Sequence, residues 1–335
     1  MSIRPMRWTG EVLEMLDQRV LPRTETWLTL RTWPEVAEAI RDMAVRGAPA
    51  IGVAAGYGMA LAARAGDNLS EVAKGLFATR PTAVNLGWAL DRILALKTDD
   101  FYVIEAEARA IEAEDLAMNH AIGRHGSALI PSGAGVLTIC NTGGLATAGH
   151  GTALGVIRTA HYEGKDIHVY SCETRPRQQG LRLTSYELLA EKIPFHSIAD
   201  GAVSALLASG KVQCAIAGAD RIAANGDTAN KIGTYALAVQ ARHFGIPFYI
   251  AAPSSTFDLT LAGGSEIPIE ERSSEELTHI EGIAIGPEGC PVWNPAFDVT
   301  PGELIDAIVT EVGVLRPPYR FKSDLFEVPK VETSA

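Results

Sequence analysis

Gly135-Val-Leu-Thr-Ile-Cys140 runs directly into Asn141-Thr-Gly-Gly-Leu-Ala-Thr147-Ala-Gly149. A short apolar run, Val136–Cys140, followed by a glycine-rich turn and a helix-forming stretch, Leu145–Tyr162, reads as the opening of a parallel strand–helix unit. The succession recurs downstream. Candidate strands Ile167–Cys172, Phe195–Ile198, Val212–Ala217 and Phe248–Ala252 alternate with helix-like segments such as Ala199–Ser209 and Lys231–Phe244. Alternation of this kind predicts a doubly wound, Rossmann-like parallel sheet. Near the C-terminus, Thr300-Pro-Gly-Glu303 has the form of a capping box and predicts a last helix from Leu304 to about Val312.

Upstream the pattern is different. Residues 8–30 mix β-branched and aromatic residues with turn formers, which predicts short strands or a hairpin. From Pro34, near the first helical position, Val36, Ile40, Met43 and Ala44 follow a helical period, with Gly47 just past the end. Glu71–Phe77, Thr82–Leu96 and Asp99–Arg124 continue as helices. The charge-free stretch Gly47–Ala63 is too rich in Ala and Gly to span a bilayer and reads as a tightly packed buried helix. The expected chain is therefore α/β, with an N-terminal mainly helical domain and short β-hairpin over residues 1–128. A C-terminal Rossmann-like parallel-sheet domain is expected over 129–335.

A chain of 335 residues, 47% hydrophobic and 21% charged, can bury its own core. The net charge of −11 argues against general capture by nucleic acid or by an anionic membrane, so any anion is held by a local site. Cys140, Cys172, Cys214 and Cys290 form no C-x-x-C pair, which suggests neither a zinc site nor a disulfide framework. With no signal-like apolar segment after Met1, these thiols fit a reduced, cytoplasmic protein.

Ligands of open α/β sheets bind beyond the carboxyl ends of the strands, which directs attention to the residues just after each apolar run. Cys140 ends the first strand ahead of a glycine-rich helix start, where a positive helix end lowers a thiol pKa. A small buried thiol is the plainer reading. Asp220 follows Val212–Ala217, where burial raises a carboxyl pKa and makes it a proton donor near neutrality. A helix cap or a partner for Arg221 is its alternative. The loop Glu173-Thr-Arg-Pro-Arg-Gln-Gln-Gly180 is crowded with donors suited to a phosphorylated polyol, or is simply solvated. Arg46 before Gly47-Ala48, and Arg80 before Pro81, each pair a guanidinium with a helix start, the form of a phosphate clamp. Asn230-Lys231 sits at another predicted helix start. The run Glu270–Glu276 reads as a solvated charged segment.

Six ordered motifs, Arg46-Gly-Ala-Pro-Ala-Ile-Gly52, Arg80-Pro-Thr-Ala-Val-Asn-Leu86, Cys140–Thr147, Glu173-Thr-Arg-Pro176, Gly218-Ala-Asp-Arg-Ile222 and Asn230-Lys-Ile-Gly233, resemble the signature of the S-methyl-5-thioribose-1-phosphate isomerase family. Asn294–Pro301 is also similar to it. The resemblance implies an aldose–ketose isomerase converting 5-methylthioribose 1-phosphate to 5-methylthioribulose 1-phosphate in methionine salvage, usually as a homodimer, with neither metal nor nicotinamide. It further implies Cys140 and Asp220 as the catalytic pair and Arg46, Gly47, Ala48, Arg80, Gln179, Asn230 and Lys231 as substrate contacts. Three alternatives stand beside it. The fold also serves regulatory subunits of the translation-initiation guanine-nucleotide exchange factor. The site could act on 5-deoxyribose 1-phosphate or ribose 1,5-bisphosphate. A nicotinamide dehydrogenase would use the glycine-rich turn, but Asn141-Thr-Gly-Gly lacks a G-x-G-x-x-G spacing.

Overall fold

The computed structural model describes residues 3–81, 83–322 and 326; Thr82, with which the predicted fourth helical segment opens, lies outside the described residues. The chain begins with β1 (Met6–Trp8), β2 (Leu13–Leu16) and β3 (Trp27–Leu30), an antiparallel sheet in that order, one strand more than a hairpin. Five helices follow: α1 (Trp33–Arg41), α2 (Ala48–Ala65), α3 (Leu69–Phe77), α4 (Val84–Leu94) and α5 (Phe101–Ser127). Glu35 fixes the start of α1 by accepting from the Arg31 and Thr32 N–H groups at 2.6 and 2.9 Å. The small side chains of α2 are buried from Ala50 to Ala62, so this helix is wrapped on all sides. Gly47 does not end α1. It caps α2 at φ +87°, and a Cβ there would sit 2.2 Å from the Ala146 carbonyl oxygen.

α5 is long enough to join two cores. Its first half, with Ile104, Ala108 and Ile111, packs with α2 in the core of the helical part. Ile122, in the second half, belongs to a core under the large sheet. Gly126 permits close seating there, because a Cβ would lie 2.3 Å from Val156 Cγ2.

The remaining elements are β4 (Gly135–Thr138), α6 (Ala153–Tyr162), β5 (His168–Cys172), α7 (Ser185–Ala190), β6 (Phe195–Ile198), α8 (Val203–Ala208) and β7 (Cys214–Ala217). Then come β8 (Arg221–Ala223), β9 (Thr228–Lys231), α9 (Thr234–His243), β10 (Phe248–Ala251) and β11 (Phe257–Asp258). The chain closes with α10 (Glu275–Thr278), β12 (His279–Ile280), β13 (Ile283–Ala284), β14 (Phe297–Thr300), β15 (Ala307–Thr310) and β16 (Gly313–Leu315). The large sheet has the order β16-β15-β10-β7-β4-β5-β6, parallel throughout except for β16. From β4 the chain winds outward through β5 and β6, then returns to β7 on the other side. The β4–β7 boundary is thus the point where strand order reverses and a crevice opens.

All five predicted strands are present. The helix expected over Leu304–Val312 is not: Ala307-Ile-Val-Thr310 is a fully buried strand, paired on both sides by β10 and β16. A continuous β-branched run buried on both faces outweighs the capping signal, which yields only a single turn at Gly302–Leu304. The helix expected from Leu145 begins at Ala153, after a three-residue 3-10 turn at Gly144–Ala146. Asn230 and Lys231 stand on strand β9, in a second sheet of order β11-β8-β9-β14, and α9 starts three residues later.

Candidate active site

Cys140 and Asp220 extend from the carboxyl ends of β4 and β7, adjacent strands whose register sets Thr138 beside Ile216. The chain turns back after Asp220 into β8 and β9, and the Asp220 N–H donates to the Ala229 carbonyl at 2.9 Å. Asn230 and Lys231 follow at once on β9. Antiparallel β14 places Phe297 opposite Lys231, and the Lys231 Nζ lies 4.0 Å from the Phe297 ring centre while donating to the Ala296 carbonyl at 3.0 Å.

One cavity of about 90 Å³ collects all nine residues named from the sequence: Arg46, Gly47, Ala48, Arg80, Cys140, Gln179, Asp220, Asn230 and Lys231. Gln179 is buried; with its amide oxygen toward the guanidinium it accepts from Arg46 Nη2 at 2.8 Å and donates to the Thr174 carbonyl at 3.3 Å. Asn230 Nδ2 donates to Thr234 Oγ1 at 2.9 Å.

Cys140 adopts φ +67°, an unusual backbone for a side chain larger than glycine. Two threonines hold it there: the Cys140 N–H donates to Thr174 Oγ1 at 2.8 Å and Thr184 Oγ1 donates to the Cys140 carbonyl at 2.7 Å. The expected positive helix end beside the thiol is missing, because α6 starts thirteen residues after Cys140. The Gly144 and Leu145 N–H groups of the turn are already occupied by the buried carboxylate of Glu187, at 2.7 and 3.4 Å. Burial therefore pushes the Cys140 thiol up, against the opposing pull of Lys231.

Glu187 also accepts from Asn141 Nδ2 at 2.8 Å and from Arg158 Nη2 at 3.0 Å, and Arg158 pairs with Glu191. Arg158 is 1% exposed and Glu187 fully buried, so removal of either takes one partner from a buried charge and breaks up the network around it. Glu187→Ala is expected to lower the unfolding free energy by about 3–5 kcal/mol, read by urea denaturation. A change below 1 kcal/mol would contradict this account of the turn.

Among the described lining residues, four cations, Arg46, Arg80, Lys231 and Arg272, face one carboxylate, Asp220. That surplus suits a phosphate dianion, with the α2 start at Gly47-Ala48 adding its dipole. Burial raises the Asp220 pKa, with Lys231 and Arg80 opposing, and lowers Lys231 to about 8. Arg46 falls to about 9, again by burial, and stays cationic at neutral pH. No histidine is among the described lining residues, which leaves Asp220, Cys140 and Lys231 to move protons.

Arg272 corrects the reading of Glu270–Glu276 as a solvated run. Its side chain is 8% exposed, is gripped by Glu270 at 3.1 and 3.2 Å, and lines the cavity 5.8 Å from the Phe297 ring centre. Sequence gave no separate signal for it, nor for Thr174, Thr184 and Glu187. The Glu173–Gly180 loop is split: Gln179 reaches the cavity, while Arg177 pairs with Glu276 at 2.7 Å. Arg221 pairs with Asp258 at 3.4 Å rather than with Asp220. Among the described residues no group of three or more His, Cys, Asp or Glu could hold a metal ion, and no helix is long and apolar enough to cross a membrane.

Residues 44–317 match the initiation factor 2 subunit family. The methylthioribose-1-phosphate isomerase of Pelotomaculum thermopropionicum is 54% identical over 94% of this chain and 91% of its own. That of Geobacter metallireducens is 52% identical over 96% and 98%. The crystal structure of 5-methylthioribose 1-phosphate isomerase from Pyrococcus horikoshii superimposes with a TM-score of 0.89 at 43% identity, covering 95% of this chain and 93% of that one. A structure from A. fulgidus titled translation initiation factor eIF-2B, subunit delta, gives 0.84 at 42% identity, covering 95% and 97%. On these matches the chain belongs to the initiation factor 2 subunit family and, within it, to the methylthioribose-1-phosphate isomerases, which are aldose–ketose isomerases.

Proposed function

We propose that the protein converts 5-methylthioribose 1-phosphate to 5-methylthioribulose 1-phosphate, with Asp220 as the proton donor and Cys140 as its partner. The observation that carries this reading is the convergence of a half-buried carboxyl and a half-buried thiol on one cation-rich cavity at the sheet's reversal point. A phosphate on C1 locks the sugar as a ring with no free aldehyde, so the ring must open before hydrogen moves from C2 to C1. A bound dianion among Arg46, Arg80, Lys231 and Arg272 raises the Asp220 pKa further and keeps it protonated. Asp220 then gives its proton to the ring oxygen as the C1–O bond breaks. Hydrogen moves with its electron pair from C2 to the electron-poor C1, and the C2 hydroxyl proton returns to Asp220 as the ketone forms. No net proton is gained or lost.

The raised thiol pKa favours this hydride route over an enediol, because Cys140 is protonated at neutral pH and is no ready base. As a neutral, poorly hydrated wall against C1 and C2, it excludes water from the developing cation. Conversion followed by NMR in D2O tests both parts: the expected product is the ketose with no deuterium at C1. Failure to form the ketose would refute the reaction, and deuterium at C1 would refute the route. A regulatory role on the same fold has no such feature in its favour. The homodimer, the cytoplasmic setting and the place in methionine salvage come with this reading from the family, and sedimentation at the mass of two chains is the expected result for the first.

Lys231 sets a pH limit. Its ammonium attracts phosphate, and its charged fraction falls as pH rises through about 8. KM is therefore expected to climb between about pH 8 and pH 9, below the range in which Arg46 gives up its own charge, and Lys231→Arg to remove the climb there. A KM flat from pH 7 to 10 in the unsubstituted protein would contradict it.

A further inference from the structure

Among the described residues, the hydrogen bond of the Lys231 ammonium goes to a neutral group, the Ala296 carbonyl at 3.0 Å. The ring of Phe297 adds a negative face that carries no formal charge. Its centre lies 4.0 Å from the Lys231 Nζ and 5.8 Å from the Arg272 guanidinium carbon, so one ring serves two cations of the cavity. A carboxylate in the same place would compete with an incoming phosphate for both. An aromatic face attracts them and leaves their charge available.

The backbone around Phe297 is fixed by its neighbours. Phe297 stands opposite Lys231 in the β9–β14 register. Ala296, just before it, accepts from the Ile232 N–H at 3.1 Å and donates its own N–H to the Glu270 carbonyl at 2.8 Å. Asp298, just after it, accepts from the Gly233 and Tyr235 N–H groups at 2.7 and 3.1 Å. These bonds tie β14 to β9, to the start of α9 and to the segment that carries Arg272. An ammonium has three N–H donors, and the one given to Ala296 leaves others for a ligand. We propose that Phe297 is a positioning residue: its ring face holds Lys231 and Arg272 in place before substrate arrives, so that the phosphate meets a clamp already set. The inference rests on the phosphate-binding reading of the cavity and adds to it the group that orders its cations.

Inorganic phosphate is the probe, because its binding needs no turnover. Calorimetric titration at pH 7.5, 8 and 8.5 stays below the range in which Arg46 loses its charge and above that of Asp298, raised by burial to about 6. Cys140, Asp220 and Glu270, with Arg46 and Arg272, are the other charged or titratable groups acting on Lys231, and the substitutions leave them in place. Phe297→Leu keeps an apolar side chain but removes the ring face. It is expected to lower the Lys231 titration by about one pH unit and so to weaken phosphate binding about fivefold at pH 8. Phe297→Tyr keeps the face and should bind phosphate within about twofold of the unsubstituted protein. Added to Lys231→Gln, which has no ammonium, Phe297→Leu should have no pH-dependent effect. A phosphate affinity in Phe297→Leu within about twofold of the unsubstituted protein at pH 8, with folding checked by circular dichroism, would overturn the assignment. An equal loss in Phe297→Tyr would do the same. Absence of phosphate binding in the unsubstituted protein would overturn the clamp and the assignment with it, whereas phosphate binding as expected without isomerisation of any sugar phosphate would overturn the reaction alone.

Discussion

Asp220→Asn is expected to slow single-turnover conversion by about 10³–10⁴-fold, the upper range for loss of a general acid, while sugar-phosphate affinity stays within about threefold. The amide keeps the shape of the carboxyl and can donate a hydrogen bond, but it cannot surrender a proton to the ring oxygen. The preserved affinity follows from the protonation state. Burial holds the Asp220 carboxyl neutral over more of the pH scale than a hydrated aspartate, so the neutral amide reproduces its electrostatics toward the phosphate. Were the carboxylate charged in the free enzyme, its removal would relieve repulsion and tighten binding markedly. Calorimetric titration with the product therefore reports the charge of Asp220 independently of the rate. A rate within tenfold of the unsubstituted protein would remove Asp220 from its role.

Cys140→Ala is expected to lower kcat by about 10²-fold with KM little changed, because on the proposed route the thiol lies against the carbons that exchange hydrogen rather than the phosphate. The raised thiol pKa carries a second expectation. Alkylation by iodoacetamide at pH 7 should be slower than for a free cysteine and should accelerate as pH rises, since the thiolate is the reactive form. Exposed Cys290 serves as the internal reference, and Cys172 and Cys214 are buried. Rapid, pH-independent alkylation of Cys140 would show that the thiol is ionised and would return the enediol route to favour.

The strands that frame the site were readable because each is an apolar run cut off by Gly, Pro or a polar residue, and the chemistry follows the cut. Cys140 and Asp220 could be named on that ground alone. Their adjacency could not, because it depends on β7 returning to the side of β4 opposite β5, a matter of packing order rather than local pattern. Lys231 is named as a candidate contact but expected on a helix, since Gly233 and the α9 period begin just after it and mask a short strand held between β8 and β14. Arg272 is hidden by its neighbours: in a run of four glutamates around one arginine nothing marks the side chain that Glu270 and Phe297 draw inward. Glu187 illustrates the same limit. It acts at the turn after Cys140 from a helix more than forty residues away, as a buried anion whose partners are backbone N–H groups. At the C-terminus the capping signal of Thr300–Glu303 competes with the β-branched run behind it, and burial of that run on both faces decides for a strand.

The guanidinium pair Arg46 and Arg80 rides on the helical part, whereas the acid and the thiol ride on the large sheet, and α5 is seated in both. At 27 residues it extends about 40 Å. Its middle also grips the turn beyond the thiol, where the Ala148 N–H donates to Asp115 at 2.7 Å. A side chain at Gly126 would meet Val156 Cγ2 at 2.3 Å, so a substitution there is expected to shift the helical part, with Arg46 and Arg80, against the sheet that carries Asp220 and Cys140. Substitutions at this remote seat should therefore disturb the alignment of clamp and acid without touching the sugar, so that activity is lost before stability is.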